Sequence, residues 1–176
     1  MLPWLLAIDI ETSGLNPLKN QVLELGMVAW NGEEKRVLNW FVDWKFITWE
    51  VETFKFLGSA NVERLMVGEP RIKFFTLKKE IEKWLGKLDL NNIVVVGKNF
   101  GKFDWWFLKN LEIELPFRYL DIGSICFDPV FDKSIPNLLE CKRRAGISGE
   151  VKHTALDDCE DYLRIVKWKY NLKGEI

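Results

Sequence analysis

No apolar run in the 176-residue chain approaches the roughly 18 residues that a membrane helix needs, so no membrane partner is expected. The opening Met1-Leu2-Pro3-Trp4 has no basic segment and its apolar run ends at Asp9, so it reads as a first strand and not as a signal peptide. Cysteine is scarce: Cys126, Cys141 and Cys159 are odd in number and widely spaced, which fits neither a disulfide framework nor a metal-ligand pattern. Reduced thiols in a cytoplasmic protein are the expectation. Charge of one sign is also lacking. A net charge of −1 excludes a generally basic polyanion binder, so a nucleic-acid partner would need local basic patches or bound metals. Internal repeats, low-complexity tracts and linkers are absent, and residues 1–176 read as a single domain.

What is present is a globular composition, 48% hydrophobic and 29% charged, with enough apolar residues for one core. Leu5 to Ile10 read as a buried strand that carries Asp9 and Glu11 at its end, and Ser13-Gly14-Leu15-Asn16-Pro17 is turn chemistry. Gln21–Trp30 is a second strand, the Asn31-Gly32 dipeptide a hairpin turn, and Lys35–Phe46 a third strand. Asn61–Val67 fits a short helix, and a further helix runs from an N-cap at Thr76 to about Leu88. Ile93–Val96 is a β-branched central strand, Asp104–Leu111 a helix, Phe117–Ile122 a strand, Ile135–Ala145 a helix stopped by Gly146, and Ala155–Tyr170 the last helix. The expected architecture is α/β: a mixed five-stranded sheet, three antiparallel strands then two parallel, flanked by helices. Nine tryptophans are expected mostly in the core or at interfaces, with a few able to stack on bases.

Asp9 and Glu11 are two residues apart, so on a strand they share one side. Two carboxylates that close repel each other unless a cation sits between them, and hard divalent ions take oxygen ligands in this way. A strand that simply emerges into solvent at Asp9 is the other reading of the pair. Asp104 follows the central strand through Gly97-Lys98-Asn99-Phe100-Gly101-Lys102-Phe103, where ligands collect beyond strand ends, although it also fits an ordinary helix N-cap. Asn99 and the two glycines suit a loop that a substrate backbone approaches closely. His153, the single histidine, stands before the last helix and five residues ahead of Asp158. With Leu156, Cys159, Leu163, Val166 and Tyr170 as the buried stripe of that helix, Asp158 falls on the stripe's rim. Asp157, Glu160 and Asp161 read as solvated surface.

Asp9-Ile-Glu11, Asn99 with Phe103-Asp104, and His153-Thr-Ala155-Leu-Asp-Asp158 together resemble the three motifs of the DEDDh 3′–5′ exonucleases, in the family's order and across residues 9–158. The resemblance implies a ribonuclease H-like fold and two Mg²⁺ or Mn²⁺ ions held by Asp9, Glu11, Asp104 and Asp158. It also implies His153 as general base, with Leu15 and the backbone of Ser13 and Gly14 against the terminal base of a single-stranded DNA or RNA 3′ end. The Asn99-to-Asp104 step and Arg118-Tyr-Leu-Asp-Ile-Gly-Ser124 look like oligoribonuclease, whereas Phe54–Pro70 looks like the general exonuclease pattern. Monomer and homodimer both remain open.

The chemistry is consistent with that family. Hydrolysing an anionic phosphodiester requires an activated water and cancelled repulsion, which two ions roughly 3.5–4 Å apart supply, and an imidazole titrating near neutrality can accept the water's proton. Lys142-Arg143-Arg144 with Lys133 is a candidate phosphate-tracking patch, or else a solvated helix face. A rival from another class is a catalytically silent ribonuclease H-like module that binds nucleic acid or protein, with Trp105 and Trp106 as interface.

Overall fold

A computed structural model of the chain describes residues 2–116 and 118–176, with the backbone alone at Leu90. The elements in chain order are strands β1 (Trp4–Thr12), β2 (Val22–Trp30) and β3 (Lys35–Asp43), helix α1 (Val51–Val67), strand β4 (Arg71–Lys73) and helix α2 (Phe74–Leu85). Strand β5 (Ile93–Gly97), helix α3 (Asp104–Asn110), strand β6 (Tyr119–Asp121) and helices α4 (Ile122–Cys126), α5 (Leu138–Arg144) and α6 (Ala155–Tyr170) complete the chain. The sheet order is β4-β3-β2-β1-β5-β6, with β1, β2 and β3 antiparallel and β5 and β6 added in parallel. This is the expected α/β architecture, a ribonuclease H-like sheet flanked by helices.

Six strands are present where five were expected. The addition, β4, is three residues long and pairs in parallel with the edge of β3. A strand so short has no alternation to read. Because Arg71–Lys73 joins the sheet, α2 begins at Phe74 and not at Thr76, whose hydroxyl donates to the Lys73 carbonyl. The Asn61–Val67 helix is the second part of α1, kinked at Gly58 (φ 73°) and burying only Leu57 and Leu65 among its residues. That thin apolar stripe is why its first half, from Val51, is invisible to periodicity. Helix α5 starts at Leu138, not Ile135, because the Asn137 side chain caps it by accepting from the Glu140 amide at 2.9 Å. Strand β6 is shorter than expected: Ile122 already belongs to α4, and the expected start at Phe117 lies outside the described residues.

Strand β1 is central and separates two cores. Leu6, Ile8 and Ile10 pack with Leu77, Ile81 and Leu85 of α2 and Phe107 and Leu108 of α3. Leu5 and Ala7 face the other way, against Cys159, Tyr162, Leu163 and Val166 of α6. Each fully buried aliphatic side chain contributes about 1.5–3 kcal/mol, which fixes the register of β1. Asp9 and Glu11 continue the odd-numbered set and therefore lie on the face that α6 covers. Gly26 of β2 lets α6 come that close, since a Cβ there would stand 2.5 Å from the Ala155 carbonyl. Among the described residues no helix is long and apolar enough to cross a membrane, and Cys126, Cys141 and Cys159 are buried free thiols.

Candidate active site

Three segments meet at the end of β1. Asp9 and Glu11 come from the strand itself. Asp104 stands in the first turn of α3, capped by Phe103, 3% exposed, and its carboxylate accepts from the Ile10 amide between the two strand acids. Asp158 comes from the first turn of α6, whose N-cap Thr154 accepts from the Asp157 amide, and it is buried. His153 precedes that cap in the left-handed region (φ 53°). One ligand atom each from Glu11, His153 and Asp158 lie within 4.8 Å of one another.

Electrostatics bind Asp9 and Asp104 to the same cluster. Burial, followed by the charges of Asp104, Glu11 and Asp158, pushes Asp9 well above the carboxylate range, and a Tyr162 hydrogen bond opposes this. Burial and the neighbouring Glu24 push Glu11 up to about 8. Burial pushes Asp104 up to about 7, and burial with Asp161 pushes Asp158 up to about 7. Four acids crowded in this way are what bound cations relieve. Asp158 Oδ1 is buried and has no hydrogen-bond partner among the described residues. An orphaned carboxylate oxygen within an oxygen-and-imidazole donor set fits a hard divalent ion.

These shifts set a pH dependence of stability. Each carboxyl holds its proton to a higher pH in the folded chain than in the unfolded one. Without metal, stability is therefore greatest near pH 4 and is lost as pH rises through about 7 to 8. Thermal melts of metal-free protein should show Tm falling between pH 5 and pH 8 by at least about 5 °C. Mn²⁺ should raise Tm far more at pH 8 than at pH 5.

Several residues that hold this site carry no sequence motif. Tyr162 sits one helical turn beyond Asp158, and its hydroxyl donates to Asp9 Oδ1 at 2.6 Å. The i to i+4 spacing was the available signal. Glu24, paired across the sheet with Glu11 and 1% exposed, is a lone carboxylate in an otherwise apolar strand. It receives Arg64 Nη1 at 2.8 Å and the Ala155 amide at 3.2 Å. Arg64 Nη2 donates to the His153 carbonyl at 3.1 Å. The Glu24–Arg64 pair thus ties α1 to the backbone of His153, whose ring also meets Phe56 edge-on at 5.2 Å.

The turn after β1 divides its roles. Leu15 is 69% exposed and lines a cleft of about 410 Å³ with Glu11, Phe56, Leu57 and Phe103. Ser13 is fully buried, its hydroxyl paired with Gln21 and its carbonyl accepting from the Glu50 amide, and the Gly14 carbonyl accepts from Thr12. Asn99 does not line this cleft. It turns the β5–α3 loop in the left-handed region (φ 58°), with its amide donating to Asp121 and its side chain held by Lys98.

The basic patch is corrected by the structure. Lys142 is only 4% exposed and forms an ion pair at 2.5 Å with Asp161, itself 6% exposed and not the surface residue expected. Helix α6 is covered on two sides, by the sheet and by α4 and α5, so its buried face is wider than one stripe and includes Asp161. Arg144 is committed to Asp132, Glu140 and the Cys126 carbonyl, and Arg143 to Glu140. Of these four cations, Lys133 alone is exposed and has no acidic partner among the described residues. Lys142→Ala leaves the buried Asp161 with only the half-exposed Arg164, at 3.5 Å, as a cationic partner, so denaturant melts should show a loss of about 1–3 kcal/mol.

No protein-family model matches the chain, and no curated protein sequence matches it. Solved structures do. Over 97% of this chain and 64% of the other, the structure of cell-death related nuclease 4 (CRN-4) superposes with a TM-score of 0.70 at 17% identity. A moderately thermophilic Exonuclease I from Methylocaldum szegediense gives 0.67 at 16% identity, over 94% of this chain and 40% of that one. E. coli Exonuclease I in complex with a dA16 oligonucleotide gives 0.70 at 14% identity, over 96% and 42%. The chain therefore spans from two-fifths to just under two-thirds of these proteins' lengths, and over that span it has the ribonuclease H-like fold of exonucleases.

Proposed function

We propose that the chain is a metal-dependent 3′–5′ exonuclease that hydrolyses the terminal phosphodiester of single-stranded DNA or RNA and releases nucleoside 5′-monophosphates. The observation that carries this reading is the meeting of Asp9, Glu11, Asp104 and Asp158, with His153 among them, at the mouth of a cleft. A binding module has no use for four mutually repelling carboxylates. The fold shared with exonucleases supports the reading, and the oligonucleotide in E. coli Exonuclease I supports a single strand as the substrate class.

Asp9, Glu11, Asp104 and Asp158 would hold two Mg²⁺ or Mn²⁺ ions. Bound there, such ions would neutralise the cluster and would supply Lewis-acid chemistry, lowering the pKa of a water and stabilising the leaving oxygen. The chain supplies the rest. His153 takes the proton of the attacking water, acting as general base. The Arg64 guanidinium on its carbonyl fixes where that ring stands. Tyr162 orients Asp9, leaving the opposite carboxylate oxygen to a ligand. Leu15 and Phe56 give the terminal base two apolar walls, and the polar floor at Glu11 lies beneath the phosphate. The three buried thiols suit a reducing cytoplasm.

The test is hydrolysis of end-labelled oligonucleotides with Mn²⁺. A 3′-labelled strand should lose its label as a mononucleotide from the first time point, while a 5′-labelled strand shortens stepwise. An intact oligonucleotide in the presence of bound Mn²⁺ would sink the reading. First release of the 5′ label would overturn its direction. Matched ribo- and deoxyribo-oligonucleotides read out the sugar preference.

A further inference from the structure

Outside the cleft, beside α3, lies a cavity of about 490 Å³ lined by Phe100, Gly101, Trp105, Trp106, Lys109 and Tyr119. Its floor is the buried Phe100 ring, with Tyr119 edge-on at 5.4 Å and Trp105 at 6.4 Å. Its rim is open: Trp106 is 48% exposed and Tyr119 39% exposed. Gly101 makes room for it, since a Cβ at that position would collide with the Tyr119 hydroxyl. Among the described residues no carboxylate lines the cavity. Lys109 lies over the Trp106 ring at 5.3 Å, and among the described residues neither Lys109 nor the exposed Lys102 has an acidic partner.

We infer that this cavity is a second nucleic-acid subsite, which stacks bases of the single strand lying 5′ of the end held in the catalytic cleft. The inference rests on the exonuclease reading for the position of that end. Phe103, the N-cap of α3, lines the cleft, and its carbonyl accepts at 3.1 Å from the amide of Trp106, which rims the cavity, so a strand leaving the cleft over Phe103 arrives at Trp106. Aromatic rings offer bases a π-face regardless of sequence, and lysines beside them meet the phosphates between the bases. A single strand is the occupant this chemistry suits. An apolar peptide would have no use for the unpaired lysines, and a duplex hides its base faces.

The experiment is fluorescence anisotropy of 5′-fluorescein oligothymidylates of three and twelve nucleotides, with Ca²⁺ in place of the activating metal. The trimer fills only the cleft; the dodecamer reaches the cavity. Trp106→Ala with Tyr119→Ala should weaken the dodecamer about tenfold, from stacking lost at one or two bases, and leave the trimer unchanged. Trp106→Phe, which keeps a ring, should recover most of the dodecamer affinity. Lys109→Gln should reduce the slope of log affinity against log salt by about 0.7 for the dodecamer. Unchanged dodecamer affinity, or equal losses for both lengths, overturns the subsite. Hydrolysis of the trimer by wild-type protein with Mn²⁺ is scored separately. If the trimer is cleaved while the dodecamer is insensitive to the ring deletions, the subsite alone fails. If wild-type protein cleaves nothing but the length-dependent binding loss is present, the subsite stands and the exonuclease reading fails.

Discussion

Asp104→Asn should lower exonuclease turnover by at least about 10³-fold, the scale of losing one preorganised charge-stabilising group. At the same time it should make the metal-free protein more stable at pH 8. The two effects have one cause. Asp104 is buried against the Ile10 amide, and its charge is one of those that push Asp9 far above the carboxylate range. Asparagine keeps the shape and the acceptor oxygen toward Ile10 but removes a charge that repels three others. Metal-free thermal melts at pH 8 should therefore rise, and the gain in Tm on adding Mn²⁺ should shrink. A structural acid at the start of α3 would behave differently: losing it would lower stability and leave the metal response intact. Measuring turnover and both melts on one preparation separates the two, and a variant that is active or less stable without metal contradicts the role given to Asp104.

The second large effect is expected at His153. Removing a general base costs turnover about 10²–10⁴-fold. Substrate affinity should be nearly untouched, because the cleft walls come from Leu15, Phe56 and Phe103. The backbone dictates which variant to make. His153 lies at φ 53°, where alanine is strained and asparagine is tolerated, and its carbonyl anchors Arg64. His153→Asn keeps that backbone and that hydrogen bond while deleting the base. Steady-state kinetics on a short oligonucleotide should give a collapsed kcat with KM little changed. A variant with wild-type kcat removes His153 from the chemistry, and one with raised KM alone makes it a binding group.

How much of this the chain discloses in advance depends on whether the deciding interaction is local. The two-residue step from Asp9 to Glu11 at the end of an apolar strand puts both on one face, and the helical phase of Leu156, Cys159 and Leu163 separates Asp158 from Asp157, so both placements follow from spacing alone. Asp161 sits on the same helix and is misjudged by the same rule. Its burial depends on α5 lying across that side and on Lys142 arriving from it, facts of tertiary packing with no local signature. Strand β4 is too short to show a period, and Arg64 is coupled to Glu24 forty residues away along the chain. Ser13, Gly14 and Leu15 share a motif, yet only Leu15 lines the cleft, because the Ser13 hydroxyl and the Gly14 carbonyl are used up inside the turn.

Everything about the chemistry depends on cations occupying the space among four acids. Anomalous diffraction from crystals grown with Mn²⁺ and a nucleoside 5′-monophosphate addresses this directly. Two manganese peaks roughly 3.5–4 Å apart, ligated by Asp9, Glu11, Asp104 and Asp158 with the phosphate against both, are the predicted result. Full-strength data with no peak among those carboxylates, or with manganese only at surface acids elsewhere, would contradict it.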